Sequence, residues 1–398
     1  MTGTPAPSLP AGFTAATASA AIKKPGRDDM ALLRCPGGAA LAAMYTTNRV
    51  CAAPVQLSRR RLRESRGHCA ALLVNSGCAN AATGDRGMAA VIELTDRVAQ
   101  ACDVAPEAVQ SNSTGVIGVQ LPLARMLSQV DRMAAEARPG TIEAFARAIM
   151  TTDTYPKWSS RTVEHDGQRC TVVGCAKGAG MIHPDMATMI AVLLTDAPLA
   201  PTELDAHLRA AVERSFHRIS IDGDTSTNDA VFALASGAAH APAGGFPAEA
   251  MGNAFREVAR DLALMIVRDG EGFERGIHVR VSGTATDADA LTVARTVASS
   301  LLVRCAVTGG DPNWGRILAA AGRAGVGFDL GDVELDVGGV GVFARGTPSD
   351  TPLEAREAAF RMPMVEVDLR LGAGPGRDEF IGCGLTEAYV RLNADYTT

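Results

Sequence analysis

Two hydrophobic periods run along the chain. Apolar runs of strand length occupy 70–74, 116–119, 189–194, 277–281 and 333–337. Between them lie longer stretches with apolar residues three and four apart. In 88–101, Met88, Val91, Ile92, Leu94, Val98 and Ala101 fall largely on one face, which predicts an amphipathic helix. Similar stripes cover 203–216 and 250–267. Pro201 just ahead of Glu203 marks a helix start, because a first-turn residue needs no N–H donor. Gly and Pro clusters at 241–245 and 372–376 predict surface turns. Strands mixed with helices imply an α/β (α+β) architecture of sheets layered between helices. A polar, small-residue stretch at 283–289 predicts a boundary between a main unit, 1–285, and a smaller C-terminal unit, 286–398. At about 150 residues per domain, 398 residues allow two or three domains.

Composition narrows the function classes. With 47% hydrophobic and 21% charged residues, the chain is too apolar for disorder and too polar for a membrane protein. No run reaches the roughly 18 apolar residues of a membrane span. The first twenty residues lack a charged start followed by an apolar stretch, so no secretory signal is expected. The formal charge of −6 and 4% aromatic content disfavour nucleic-acid binding, which needs a basic footprint and rings to stack on bases. Nine irregularly spaced cysteines contain no C-x-x-C and read as small buried hydrophobes in a reducing compartment. The expectation is a cytoplasmic protein with neither nucleic acid nor membrane as partner.

Three features invite functional readings and lose them. G-V-G-V-F-A at 339–344 has the spacing of a dinucleotide fingerprint, but R-G-T-P follows at 345–348 and would break the helix that such a motif opens. The acidic run 222–229 lacks the sixth-position Gly and the closing Glu of a calcium loop. The five arginines in 59–66 predict a solvated helix face.

The chemistry concentrates in 176–197. A Gly-x-Gly lets the backbone turn tightly, Pro184 stiffens the next turn, and Thr188 follows the small residue Ala187 at the mouth of an apolar run. Thr188 has two readings. It is an ordinary β-branched strand former. Alternatively, its hydroxyl attacks the Ala187 carbonyl, the peptide bond gives way to an ester on that hydroxyl, water hydrolyses the ester, and Thr188 becomes a new N-terminus with its hydroxyl restored. An α-amine titrates at about 7.7–8.0 in short peptides, so it would then accept the proton of its own hydroxyl without a catalytic His.

Here the sequence resembles the ornithine acetyltransferase (glutamate N-acetyltransferase) family over nearly its whole length. The resemblance is carried by K-G-A-G-M-I-H-P-D-M-A-T at 177–188, T-T-D-T at 151–154 and S-T-G-V-I-G at 113–118. It extends to D-G-D-T-S-T-N-D at 222–229, D-P-N-W-G-R at 311–316 and N-A-D-Y-T-T at 393–398. It implies an N-terminal-nucleophile-like fold and self-cleavage between Ala187 and Thr188. The products would be an α chain, 1–187, and a β chain, 188–398, assembled as a heterotetramer. It implies Thr188 as nucleophile and Thr114 and Gly115 as the oxyanion hole. Substrate contacts would fall to Thr154, Lys177, Thr188, Glu271, Asn393 and Thr398, with the C-terminal tail reaching the active site. Lys177 suits a substrate carboxylate and Glu271 an ornithine-like ammonium.

The implied reaction is ping-pong transfer of acetyl from N2-acetyl-L-ornithine to L-glutamate in arginine biosynthesis. It needs no metal and no organic cofactor, and acetyl-coenzyme A is an alternative donor in some members. His183 and Asp185 depart from the family's usual residues, as does Cys78. These departures bear on substrate identity, and relatives in specialised metabolism share several of them. A hydrolase of the same fold, of amidase or aminopeptidase type, and a non-catalytic scaffold are the rival readings.

Overall fold

The computed structural model describes residues 5–183 and 189–395. Contacts divide them into two compact units, one within Met1–His217 and Asp224–Ile266, the other within Arg218–Gly223 and Val267–Tyr396.

In the first unit, β1 (Thr14–Ala18) pairs antiparallel with β2 (Met30–Tyr45). Then come α1 (Ala53–Glu64), β3 (His68–Cys78), α2 (Gly84–Cys102) and β4 (Val109–Val116). Helix α2 ends where Asp103 turns left-handed at φ 55°, and its N–H returns to the last helical carbonyls. Helices α3 (Leu123–Glu136) and α4 (Glu143–Ala148) follow, then β5 (Lys157–His165), β6 (Gln168–Lys177) and β7 (Ile190–Thr195). Helix α5 (Pro201–Glu213) begins at the expected proline, with Glu203 accepting the N–H of Ala200 at 3.0 Å. Strand β8 (Ile219–Ser220) belongs to the other unit; β9 (Ala230–Ala235) and α6 (Ala248–Arg268) complete the first.

The first sheet runs β4-β3-β2-β9-β7-β6-β5, with β1 beside β2. Alternation along its strands splits the core between two faces. Leu33, Leu72, Val173, Val192 and Phe232 pack toward Phe145 of α4. Leu32, Leu73 and Val109 pack toward Leu94 and Val98 of α2 and Met126 and Val130 of α3. Buried on both faces, β7 and β9 read as continuous apolar runs.

The second unit continues with β10 (Gly276–Gly283), α7 (Asp287–Ala298), α8 (Leu301–Gly309) and α9 (Trp314–Gly322). After β11 (Glu334–Val337), β12 (Val340–Ala344) and β13 (Thr347–Pro348) come α10 (Leu353–Phe360), β14 (Met364–Arg370), β15 (Gly374–Cys383) and α11 (Glu387–Asp395). Its sheet is ordered β13-β12-β11-β14-β10-β15-β8. One face, with Val279, Val367 and Phe380, is covered by Val293 and Val297 of α7, Val307 of α8 and Ile317 of α9. The other is polar. On it Arg280 pairs with Asp368 and Glu366, both at 2.6 Å, and His278 with Glu379 at 2.7 Å.

The α/β class with helix-flanked sheets is the one expected. The units divide at 266/267, ahead of 285/286, because β10 pairs with β14 on one side and β15 on the other. The polar stretch 283–289 is a turn and helix cap: the Thr286 side chain accepts the N–H of Asp289 at 3.1 Å, and Asp287 and Asp289 occupy the first turn of α7. At 339–344 lies a β-hairpin. Gly338 and Gly339 take φ of 59° and 78°, the backbone that a two-residue turn with twisted strands requires.

Among the described residues no single helix is long and apolar enough to cross a membrane. The pair α7 and α8, bent by 58°, meets the length and composition together; it buries Val293, Val297, Val303 and Val307 in the second unit's core and leaves Leu301 and Leu302 exposed. The arginines of α1 are not one solvated face. Arg60, Arg63 and Arg66 are exposed, whereas Arg61 is buried, donating to the Val109 carbonyl at 3.2 Å and pairing with Asp96 at 2.6 Å.

Candidate active site

The strand that builds the site carries polar residues inward. In β4, Gln110, Ser111, Asn112, Ser113 and Thr114 are all buried. Such groups are tolerated only when paired, and most of them are. Ser113 donates to Asn75 at 2.6 Å, Asn75 donates to the Cys78 carbonyl at 3.0 Å, and Asn112 donates to the Asn228 carbonyl at 2.8 Å. Asn228 in turn donates to the carbonyls of Ser113 and Ala79 at 2.8 and 2.7 Å. The network ties the ends of β3 and β4 to the segment that enters β9.

At the far end of β4 stand Thr114 and Gly115. Gly115 has φ 130°, and a Cβ there would overlap the Gly77 backbone of β3, so only glycine fits. Lys177, the last residue of β6, is 3% exposed, and its ammonium donates to the Thr114 hydroxyl at 3.2 Å. A lysine ammonium has no acceptor, so Thr114 receives this bond and keeps its own O–H free to donate. A fixed donor of this kind suits an oxygen that gains negative charge.

Two aspartates that the sequence reading did not single out flank Lys177. Asp153 is buried and accepts from Lys157 Nζ at 2.7 Å, from the Gly178 N–H at 2.6 Å and from the Thr151 N–H at 3.0 Å. Burial alone would push its carboxyl up, but Lys157, Lys177 and the Gly178 N–H hold it below the usual carboxylate range. Asp229, 1% exposed, accepts the Met189 N–H at 2.7 Å through Oδ1. Burial pushes its carboxyl well above the ordinary value, against the Met189 N–H and the charge of Lys177. The signal for Asp229 was its place as an acid directly before the buried apolar run of β9.

The residues expected at the site fall into three groups. Thr114, Gly115 and Lys177 come together in the first unit, and Thr154 is exposed one residue beyond Asp153. Glu271 and Asn393 come together in the second, where Asn393 Nδ2 donates to Glu271 Oε2 at 2.9 Å. Glu271 is 9% exposed, so a freely solvated loop carboxylate is not what the fold makes of it. Ala187, Thr188 and Thr398, with Asp185, lie outside the described residues; His183 is half-buried. Ahead of the junction, Met181 adopts φ 56°, a left-handed conformation costly for a bulky side chain. The cysteines supply no rival nucleophile in the core: burial pushes the thiols of Cys69 and Cys175 up to about 12.

The sequence profile described as the ArgJ family matches residues 14–398. The chain belongs to the ArgJ family. It is 44% identical over 391 residues to the arginine biosynthesis bifunctional protein ArgJ of Nitratidesulfovibrio vulgaris, covering 97% of this chain and 98% of that one. To the protein of the same description from Thermosynechococcus vestitus it is 43% identical over 407 residues, covering 97% and 96%. Among solved structures it is similar to the ornithine acetyltransferase of Mycobacterium tuberculosis complexed with ornithine. That match has 37% identity and a TM-score of 0.38, covering 44% of this chain and 92% of that chain.

Proposed function

We propose that this ArgJ-family enzyme moves an acetyl group from N2-acetyl-L-ornithine to L-glutamate in arginine biosynthesis, through an acetyl ester on Thr188. The chain first cleaves itself between Ala187 and Thr188. The freed α-amine then takes the hydroxyl proton, Oγ attacks the acetyl carbonyl, and ornithine leaves with a proton on its amine. Glutamate's amine attacks the ester in the second half, releasing N-acetylglutamate and restoring the hydroxyl. Thr114 and Gly115 donate to the tetrahedral oxygen in both halves. Lys177 orients Thr114 and offers its charge to a substrate carboxylate. Glu271, held by Asn393, receives the ornithine-type ammonium, and Thr154 and Thr398 complete the substrate contacts.

The observation that carries the reading is the bond from Lys177 to Thr114. It leaves a buried hydroxyl fixed as a donor at the end of the strand that also holds Gly115. No cofactor enters this chemistry. The α and β chains assemble as a heterotetramer in the cytoplasm. A panel of acyl donors, including acetyl-coenzyme A, and amine acceptors tests the reading. Acetylglutamate formed from acetylornithine with ping-pong kinetics is expected; free acetate without acetylglutamate would replace it with a hydrolase.

A further inference from the structure

The loop between β1 and β2 folds down on the end of β3. Asp29, 3% exposed, closes it: its carboxylate accepts the N–H of Ala20 at 2.7 Å and that of Ile22 at 2.6 Å, and its carbonyl accepts the Ser76 N–H at 2.9 Å. The loop also lies against Gly77, where a Cβ would come within 3.0 Å of the Lys23 Cβ and 3.2 Å of the Lys23 nitrogen. In the β3–β4 pairing Gly77 is the partner of Gly115, and Ser76 is the partner of Thr114. The loop is therefore built onto the strand ends that carry the oxyanion donors, and all of these residues belong to the first unit.

One cation of the loop is fixed on that edge. Arg27 Nη2 donates to the Ser76 hydroxyl at 3.3 Å and to the carbonyl of Met150, the residue ahead of the 151–154 motif. Ser76 is held in turn, donating to the Ala148 carbonyl at 2.7 Å. Paired strands stand about 4.8 Å apart. Ser76 thus seats the guanidinium beside its own strand partner Thr114, at a remove that a side chain of two methylenes spans. Arg27 is exposed, and among the described residues its acceptors are both neutral, so no ion pair consumes its charge. Lys157, by contrast, is spent on Asp153 in a fully buried pair.

We propose that Arg27 is the specificity-determining residue for the acceptor: its guanidinium binds the side-chain carboxylate of glutamate in the second half of the exchange. The proposal rests on the acetyl-transfer reading above. Both halves use the same oxyanion donors, and both amino acids present an α-carboxylate to Lys177. They differ at the far end, which is an ammonium in ornithine and a carboxylate in glutamate. A second carboxylate taken from water needs a cation of its own. A guanidinium anchored through one nitrogen keeps Nε and Nη1 for charge-assisted hydrogen bonds to it.

Arg27→Gln keeps an amide donor for Ser76 and removes the charge. In ping-pong kinetics, kcat/KM for each substrate reports its own half of the exchange. For glutamate it should fall by about 10- to 100-fold, as for loss of hydrogen bonds to a charged group, and for acetylornithine much less. Glutamine has the shape of glutamate without the charge, so its use as acceptor should change little. The preference for glutamate over glutamine should therefore narrow by the same factor, and Arg27→Lys should retain most of it. Equal losses for acetylornithine and glutamate would mean that Arg27 only braces the strand ends and would overturn the proposal. An unchanged preference for glutamate over glutamine would overturn it too.

Should the variants fail to fold, the wild type decides. Added salt screens an exposed charge, so it should lower kcat/KM for glutamate more than for glutamine; equal falls contradict the proposal. Failure of the acetyl-transfer reading shows separately, as wild-type protein that forms no acetylglutamate from acetylornithine.

Discussion

Lys177 and Thr114 meet across 3.2 Å, the ammonium donating and the hydroxyl accepting, with both residues at most 5% exposed. Because Thr114 accepts this bond, its proton is free for another acceptor. Thr114→Val preserves shape and removes that donor. We expect kcat to fall by about 10²–10³ with self-assembly and fold intact. Steady-state kinetics and circular dichroism check this; a change in KM alone would remove Thr114 from the oxyanion site.

Asp153 and Lys157 form an ion pair whose side chains are both fully buried. Asp153→Ala strands the ammonium and should cost about 3–5 kcal/mol in urea unfolding, while Asp153→Ala with Lys157→Met should recover much of it. The folded-state carboxyl titrates below its ordinary value of 3.8, so the unfolded chain binds more protons in acid. Its stabilisation is therefore complete above that value and is lost as pH falls toward the folded-state value. A variant whose loss of stability is the same at pH 7 and in strong acid would contradict this.

Asp229 predicts the opposite sign. Its folded-state value is raised above 3.8, so its burial is free of penalty below that pH and costs more as pH rises toward the folded value. Asp229→Asn removes the titration and keeps the bond to Met189. Relative to wild type, its thermal midpoint should rise more at pH 8 than at pH 5. An equal shift at both pH values, in either direction, would count against a titrating Asp229.

Thr286→Ala tests the helix cap found where the sequence suggested a boundary. It should destabilise the second unit by about 1 kcal/mol, and Thr286→Ser, which keeps both the acceptor for the Asp289 N–H and the donor to the Asp289 carboxylate, should not. Urea unfolding with a reporter in the second unit measures the difference.

These residues also show what the sequence carried legibly. Helix α2 and strand β10 stood out because their apolar positions keep one period throughout. Strand β2 did not, because Pro36, Gly37 and Gly38 interrupt its sixteen residues and read as a turn; there the pairing with β3 shifts between Arg34 and Ala39. Strand β4 was displaced in the reading. The apolar 116–119 suggested a strand, yet β4 ends at Val116 and the residues ahead of it, Gln110 to Thr114, are polar and buried. A strand that supplies a site hides from hydrophobic patterning because its inward side chains are the ones that do chemistry. Thr114, Gly115 and Lys177 were reachable only through a resemblance of motifs. Asp153 lay inside one of those motifs without a role, since its partners Lys157 and Gly178 are brought to it by the pairing of β5 with β6.

Intact-mass and peptide analysis of protein quenched during turnover of acetylornithine tests the central claim most directly. The account predicts two chains that part between Ala187 and Thr188, with one acetyl group on the Thr188 side chain that disappears on adding glutamate. Active protein in which those two residues remain joined, or an acetyl group carried elsewhere, would contradict it.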